Sequence, residues 1–297
     1  MTKIGVVGSI NTDFVFKSKK LPLPSETILG DSFDINFGGK GANEAVAIAR
    51  LGGNSCLFGA IGQDIFSKEN LKNLKKEKVC VKNVKICENI SGGAAGITVG
   101  SDTNSIVVIP GANQEVTTDY LKTVEKELLE CDIIGTQLEI PLKSAEYLIK
   151  LAKKSHKTLV FNPSPIVPLP QKLLDDCSYI IVNEVEIKEL PGYQNDAQLL
   201  QRYNGKLILT RGKEGAFFWD TSSQSVKNIP SLKVKAVDTT GAGDTFLASF
   251  MYALSKNNPL AESLMFANTC AGLKVTKNGA QTGMPTIKEV RAYITKK

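Results

Sequence analysis

The sequence predicts an α/β protein built on a doubly wound, mostly parallel sheet flanked by helices, with a small β-sheet beside it. Three observations carry that expectation. From Thr117 onward, helix-length apolar segments alternate with short apolar strands joined by short links. The chain opens on Ile4-Gly5-Val6-Val7-Gly8, an apolar run ending in glycine that reads as a buried strand. Two stretches, about 14 to 36 and 94 to 110, lack helical periodicity and read as β excursions from the main sheet.

Taken in order, Ser9-Ile10-Asn11-Thr12-Asp13 follows the first strand at its carboxyl end, where open parallel sheets hold their ligands. Phe37-Gly38-Gly39-Lys40-Gly41-Ala42-Asn43 opens a helix with apolar positions Ala45, Ile48, Ala49 and Leu51, stopped by Gly52-Gly53. Three glycines around one lysine at a helix start are expected to bring N–H groups close to a ligand; a plain helix cap is the alternative. Cys56 to Ile61 reads as a strand, Ile65 to Lys76 as an amphipathic helix and Val79 to Ile86 as a strand. Ala94 to Gly100 and Ser105 to Ile109 form a hairpin around Asp102-Thr103-Asn104, pairing with the first excursion. Then follow helix Tyr120 to Leu129, strand Ile133 to Thr136, helix Leu142 to Lys153, and strands Thr158 to Phe161, Tyr179 to Val182 and Lys206 to Thr210. Gln137, Glu139, Asn162, Asn183 and Glu186 lie just past strand ends and are expected to face a ligand. Ala216 to Trp219 starts a hairpin, the alternating run Leu232 to Val237 reads as a strand, and helices Phe246 to Leu254, Leu260 to Lys274 and Ile287 to Ile294 close the chain.

Composition narrows the function classes. The 297 residues are 42% apolar, enough for one large domain or two, and no linker, low-complexity segment or repeat divides them. The net charge of +6 is carried by lysines without interleaved aromatics, which read as solvated faces and not as a nucleic-acid surface. Six cysteines without Cys-x-x-Cys spacing, and no apolar leader, lead us to expect the reducing cytoplasm; no run is long enough to span a membrane. His156 is the only histidine, in a polar run, so zinc and Ser-His-Asp chemistry are poorly supplied. Neither a Walker spacing nor Gly-x-Gly-x-x-Gly occurs.

The stretch Asp238-Thr239-Thr240-Gly241-Ala242-Gly243-Asp244-Thr245-Phe246 is the best candidate for chemistry. A turn into a helix leaves N–H groups unpaired, and Gly-Ala-Gly adds no bulk to keep an anion away. Asp244 would repel a phosphate there unless it faces the incoming nucleophile as a general base. The alternative, a tight turn with a first-turn acid serving the helix dipole, stays open on this stretch alone.

Five motifs in order resolve the choice: Gly-Ser-Ile-Asn-Thr-Asp at 8 to 13, Gly-Gly-Lys-Gly-Ala-Asn at 38 to 43, Gln-Leu-Glu at 137 to 139, Asn-Glu-Val-Glu at 183 to 186 and Asp-Thr-Thr-Gly-Ala-Gly-Asp at 238 to 244. With them, essentially the whole chain resembles the ribokinase-like (PfkB-type) family of carbohydrate kinases. The resemblance implies ATP-dependent phosphorylation of a sugar hydroxyl, with D-ribose, phosphorylated at O5, as the expected sugar. It implies Asp244 as general base and Gly241, Ala242 and Gly243 as the anion hole. Asn11, Asp13, Gly39, Lys40, Asn43 and Glu139 would hold the sugar. Asn183, Thr210, Arg211, Gly212, Lys213, Glu214, Gly215, Gly243 and Asn268 would hold ATP, with Glu186 near its Mg²⁺. Asp238, Thr240, Lys274, Lys277, Gly279 and Gly283 would form a site for K⁺, mainly through main-chain oxygens. The sequence departs from the family at Gly283, where a serine is common, which removes one oxygen ligand. It departs again at Leu247-Ala248-Ser249, where the usual run is Asn-Gly-Ala.

The excursions 14–36 and 94–110 would form a β lid on a catalytic body of 1–13, 37–93 and 111–297, and a homodimer would form through the lid. Kinases for 2-deoxyribose, another sugar or a nucleoside are the nearest alternatives, followed by a non-catalytic sugar- or nucleotide-binding regulator. An oxidoreductase lacks its dinucleotide fingerprint.

Overall fold

Residues 2–100 and 103–295 are described by the computed structural model, and Asp102 of the expected hairpin turn lies outside them. The first strand, β1 (Lys3–Val7), is followed at once by β2 (Asn11–Lys17) and β3 (Ser32–Gly38), which leave the main sheet. Next come α1 (Lys40–Arg50), β4 (Asn54–Ile61), α2 (Ile65–Lys76), β5 (Cys80–Ile86), and the hairpin β6 (Gly93–Val99) and β7 (Asn104–Ile109). The second half runs α3 (Thr118–Thr123), α4 (Glu125–Leu129), β8 (Ile133–Thr136), α5 (Leu142–Lys154), β9 (Thr158–Phe161), α6 (Gln171–Asp175) and β10 (Tyr179–Asn183). It continues with α7 (Asp196–Arg202), β11 (Leu207–Thr210), β12 (Ala216–Asp220), β13 (Ser225–Ile229), α8 (Ala242–Leu254), α9 (Leu260–Lys274), α10 (Ala280–Gly283) and α11 (Ile287–Thr295).

The large sheet has the order β13-β12-β11-β10-β9-β8-β1-β4-β5. All its pairings are parallel except β11 with β12 and β12 with β13. The chain winds outward from β1 through β4 to β5, then returns to the other side of β1 at β8. That reversal opens a crevice at the strands' carboxyl ends. Side chains alternate along β1: Ile4 and Val6 enter the core layer under α1, α8 and α9, and Val7 enters the layer under α3 to α7. Helix α8 is buried from Thr245 to Ala253, as its nearly unbroken apolar sequence requires.

The smaller sheet has the order β3-β2-β6-β7, with β2 antiparallel to β3 and parallel to β6. Period-2 alternation turns Asp13, Asp34 and Asn36 toward the crevice. The opposite face carries Phe16, Phe33, Ile35, Val107 and Ile109, each roughly half exposed or more. No helix among the described residues is long and apolar enough to cross a membrane.

Two expectations fail. The helix expected over Tyr120 to Leu129 breaks at Val124 (φ −113°, ψ 13°) into α3 and α4. Leu232 to Val237 is not a strand: it has no neighbouring strand, and its end is held by Val237 N–H and Asp238 N–H donating to Val275 O at the end of α9.

Candidate active site

The crevice is built by the ends of β1 and β10 and the starts of β2, α1 and α8. Only three residues separate β1 from β2, so Asn11 and Asp13 are the opening rungs of the smaller sheet. The Asn11 side chain is fixed by Asn113, whose Nδ2 donates to Asn11 Oδ1 at 2.7 Å. Asp13 lies against Gly38, where a Cβ would come within 2.3 Å of its Oδ2. Burial, and then Glu139 and Asp244, push the Asp13 carboxyl up to about 6.

At the start of α1, Gly39 takes φ +87°, and a Cβ there would sit 2.7 Å from Asn11 N. A Cβ at Gly41 would meet the Gly8 backbone at 2.6 Å. The glycines therefore seat α1 on the end of β1, and the N–H groups of Lys40, Ala42 and Asn43 are taken by protein oxygens. Lys40 N–H donates to Glu139 Oε2 at 3.2 Å, and Ala42 N–H donates to Ser9 O at 2.9 Å. Ser9 Oγ donates to the same carboxylate oxygen. The Lys40 ammonium is pulled down by burial, but Asp244, Glu139, Glu186 and Glu44 outweigh that and hold it above its usual value.

Asp244 stands in the first turn of α8 and accepts from Asn43 Nδ2 at 2.7 Å. Asn43 is steadied in turn by Gln281 Nε2, which donates to its Oδ1 at 3.1 Å. Gly241 caps α8 in the left-handed conformation, φ +75°. Of the three residues expected to donate N–H groups, Ala242 is engaged by Thr239 O at 3.1 Å. Gly243 N–H and Asp244 N–H meet no protein acceptor among the described residues, and a Cβ at Gly243 would meet nothing within 4 Å. These two N–H groups, at the positive end of a thirteen-residue helix, are left open to an anion.

Two cavities meet at Gly243. One, of about 120 Å³, is lined by Lys40, Asn162, Asn183, Glu186 and Asp244. The other, of about 270 Å³, is lined by Thr210, Gly212, Lys213, Gly215 and Asn268, together with Leu232, Val234, Ala236 and Gly272. Gly243, Thr210 and Phe246 wall both. The second cavity has largely apolar walls. Leu232, Val234 and Ala236 escaped the sequence reading because their alternation read as a strand; it is instead one side of a loop packed on α9, where Gly272 makes room for Leu232, since a Cβ at 272 would fall 2.7 Å from that of Leu232.

Other expected residues turn elsewhere. The Arg211 guanidinium pairs with Asp196, lies 3.7 Å from Glu214 Oε2 and stacks over Phe217 at 5.1 Å, so neither Arg211 nor Glu214 lines the cavity. Asn268 uses Nδ2 to hold Ile229 O at 2.6 Å, joining α9 to β13. Gln137 is fully buried and donates to Glu44 Oε2 at 2.5 Å. Glu44, an interior acid that no sequence pattern marked, is pushed well above its usual value by burial and by Asp244. Asp238 accepts from Thr240 N–H at 2.8 Å and from Gly279 N–H at 2.7 Å. The Lys277 ammonium pairs with Glu289, and Lys274 is fully buried.

Two cavities that share a wall at the switch point of a parallel sheet, with a carboxylate and two unengaged N–H groups beside that wall, are the arrangement of an α/β kinase. The chain belongs to the pfkB family of carbohydrate kinases, whose model matches residues 1–287. It is 39% identical over 295 residues to the ribokinase of Lactococcus lactis subsp. lactis, covering 99% of this chain and 97% of that protein. Among solved structures it matches the ribokinase of Thermotoga maritima with a TM-score of 0.90 at 30% identity, covering 99% of this chain and 100% of that one. It matches Arabidopsis thaliana ribokinase complexed with ribose and ATP with a TM-score of 0.88 at 29% identity, covering 98% of each chain.

Proposed function

We propose that this chain transfers the γ-phosphoryl group of ATP to O5 of D-ribose, giving D-ribose 5-phosphate and ADP. The observation that carries the proposal is the junction at Gly243, where a cavity with purine-compatible walls opens onto one lined by Lys40 and Asp244.

In this mechanism Asp244 accepts the proton of the O5 hydroxyl as O5 bonds to the γ-phosphorus and the bond from phosphorus to the bridging oxygen of ADP breaks. An alcohol is far less acidic than a carboxylic acid, so the proton moves only as the new bond forms, and the Asn43 contact that aligns Asp244 serves that timing. Gly243 and Asp244 N–H groups receive the equatorial oxygens of the phosphoryl in flight. Lys40 adds a positive charge beside them. Asn11, Asp13 and the free Glu139 oxygen supply the acceptors and donors that vicinal hydroxyls require.

Mg²⁺ fits the donor set: no cluster of three His, Cys, Asp or Glu exists among the described residues, so the ion would be held by phosphate oxygens, water and Glu186. When bound, it neutralises charge on the triphosphate. K⁺ does not fit, because the ammonium of Lys274 is bonded to the main-chain oxygen of Asp238.

The smaller sheet acts as a lid. A cleft of about 810 Å³ lies between its polar face and the loops around Asp238 and Gly279, and closing it would keep water from the phosphoryl donor. Its apolar outer face suits a second copy of the chain, giving a homodimer. A monomeric mass at micromolar concentration would remove that part. Six unpaired cysteines suit the cytosol.

The test is ADP release from Mg·ATP offered D-ribose, 2-deoxyribose, fructose and adenosine in parallel. Turnover confined to D-ribose is expected. Preference for another acceptor would move the specificity, and none on any would defeat the proposal.

A further inference from the structure

Lysine is among the residues least often buried, yet Lys274 at the end of α9 is 0% exposed. Its Nζ donates to the main-chain oxygen of Asp238 at 2.8 Å and lies 4.0 Å from Asp238 Oδ1. Beside its stem is Gly283, where a Cβ would fall 3.1 Å from Lys274 Cε, 3.2 Å from Lys277 O and 3.3 Å from Asn278 O. The ammonium is thus held by the oxygens of Asp238, and Lys277 O and Asn278 O line the small chamber around Gly283 beside its stem. Hard oxygen donors of that kind suit a monovalent cation.

A packing role does not account for the charge. A leucine or methionine would fill the space without the cost of taking an ammonium out of water. A helix-capping role does not account for the partner, since a capping lysine serves the last carbonyls of its own helix and this one crosses to Asp238, 36 residues back in the chain. Burial pulls the Lys274 ammonium below its usual value, while Asp238 and Asp244 push the other way.

The chamber is mechanically joined to the anion hole. The two carboxylate oxygens of Asp238 receive Thr240 N–H and Gly279 N–H, tying the turn before α8 to the loop after α9. Gly241, which caps α8, rests on Ala280, a Cβ there standing 3.1 Å from that of Ala280. A positive charge on the Asp238 oxygen therefore holds the strap from which Gly243 and Asp244 present their N–H groups.

We propose that Lys274 is a tethered monovalent cation: its ammonium fills the chamber that a free K⁺ would otherwise occupy, and the absence of a side chain at Gly283 makes room for it. The missing oxygen ligand at 283 and the buried lysine at 274 are then one exchange. The enzyme needs no monovalent activator, and Lys274 acts as a positioning residue for the anion hole. This rests on the phosphoryl-transfer reading of the site.

The experiment compares KCl, NaCl and choline chloride at equal ionic strength, reading both ADP release with Mg·ATP and D-ribose and the melting temperature of the protein without substrates. The unaltered protein is expected to turn over within about twofold in all three salts, because nothing in the anion hole depends on a dissociable ion. Its melting temperature is expected to be the same in K⁺ and choline. Lys274→Ala is expected to lose roughly tenfold or more in choline and to regain several-fold in K⁺ as the vacated chamber takes the ion. K⁺ should also raise the variant's melting temperature above its value in choline, since an ion that binds only the folded state stabilises it. Activation or stabilisation of the unaltered protein by K⁺ over choline would overturn the proposal, as would a Lys274→Ala enzyme that is active and indifferent to salt. Lys274→Met, which keeps the stem, replaces a variant that fails to fold. If no salt gives ADP, the kinase reading fails, and the melting curves still decide the question for Lys274.

Discussion

Replacing Asp244 by asparagine isolates proton acceptance from everything else the site does. The amide is nearly isosteric with the carboxylate and keeps an oxygen to accept from Asn43 Nδ2, now 2.7 Å from Asp244 Oδ2. Loss of a first-turn charge at the start of α8 costs stability of about 0.3–1 kcal/mol, too little to unfold the domain. The nucleotide cavity is untouched, because Asp244 lines only the smaller one. What is lost is a base aligned on the attacking hydroxyl, worth about 100- to 10,000-fold in rate, or about 3–5 kcal/mol of barrier. Steady-state ADP release should therefore fall by that factor in kcat, with nucleotide affinity unchanged by calorimetry and a melting temperature within a few degrees of normal. A folded variant that retains kcat within about threefold would refute Asp244 as the base, leaving the carboxylate as a helix-dipole partner only.

Other expectations concern the sugar side. Gly38→Ala drives a methyl to 2.3 Å from Asp13 Oδ2, so the carboxylate must move; KM for D-ribose should rise roughly tenfold while KM for ATP holds, and equal change in both would point to a general distortion. Asp13 also predicts a pH dependence. Its folded value of about 6 lies above the ordinary 3.8, so the stability it contributes is present below about 4 and is lost as pH rises through 6. Without ligand, the melting temperature should decline over that interval, and Asp13→Asn should remove this component of the decline. D-ribose affinity should rise over the same interval as Asp13 becomes an acceptor, a trend that calorimetry at pH 5 and 7.5 would detect; no difference between them would detach Asp13 from the sugar.

Most of the main sheet was legible because its strands are short apolar runs between amphipathic helices. Ile133–Thr136 and Thr158–Phe161 fall where the pattern places them, since burial on both faces leaves no other residue type for them. Failures came where a local pattern had a non-local partner. The alternation of Leu232 to Val237 signals one apolar side but not what covers it, and α9 covers it instead of a strand. Polar residues past strand ends divided the same way: Asn183 and Glu186 line the cavity, whereas Gln137, two residues before Glu139, serves the buried Glu44. Nothing local distinguishes them, because the choice is made by α1 packing across the strand ends. Lys274 shows the limit most plainly. A lysine at a helix end reads as solvent-facing, and only Asp238, far away in sequence, gives its charge an interior partner.

The junction between β1 and β2 has a further consequence. With three residues between them, the strand anchored in the rigid body and the strand carrying Asn11 and Asp13 are nearly one continuous rod, bent at Gly8, Ser9 and Ile10. The bend is clamped where Asn113 Oδ1 accepts Ile10 N–H at 2.9 Å. Any tilt of the smaller sheet would therefore pivot about Asn11 and Asp13, the residues proposed to hold the sugar, so their displacement would be small while the far ends of β2 and β3 sweep a long arc. If the proposed lid closes on ribose, sensing and closing would share one fulcrum: the sugar hydroxyls would keep the same Asn11 and Asp13 throughout the motion, and capture of the sugar could precede closure without any contact being remade.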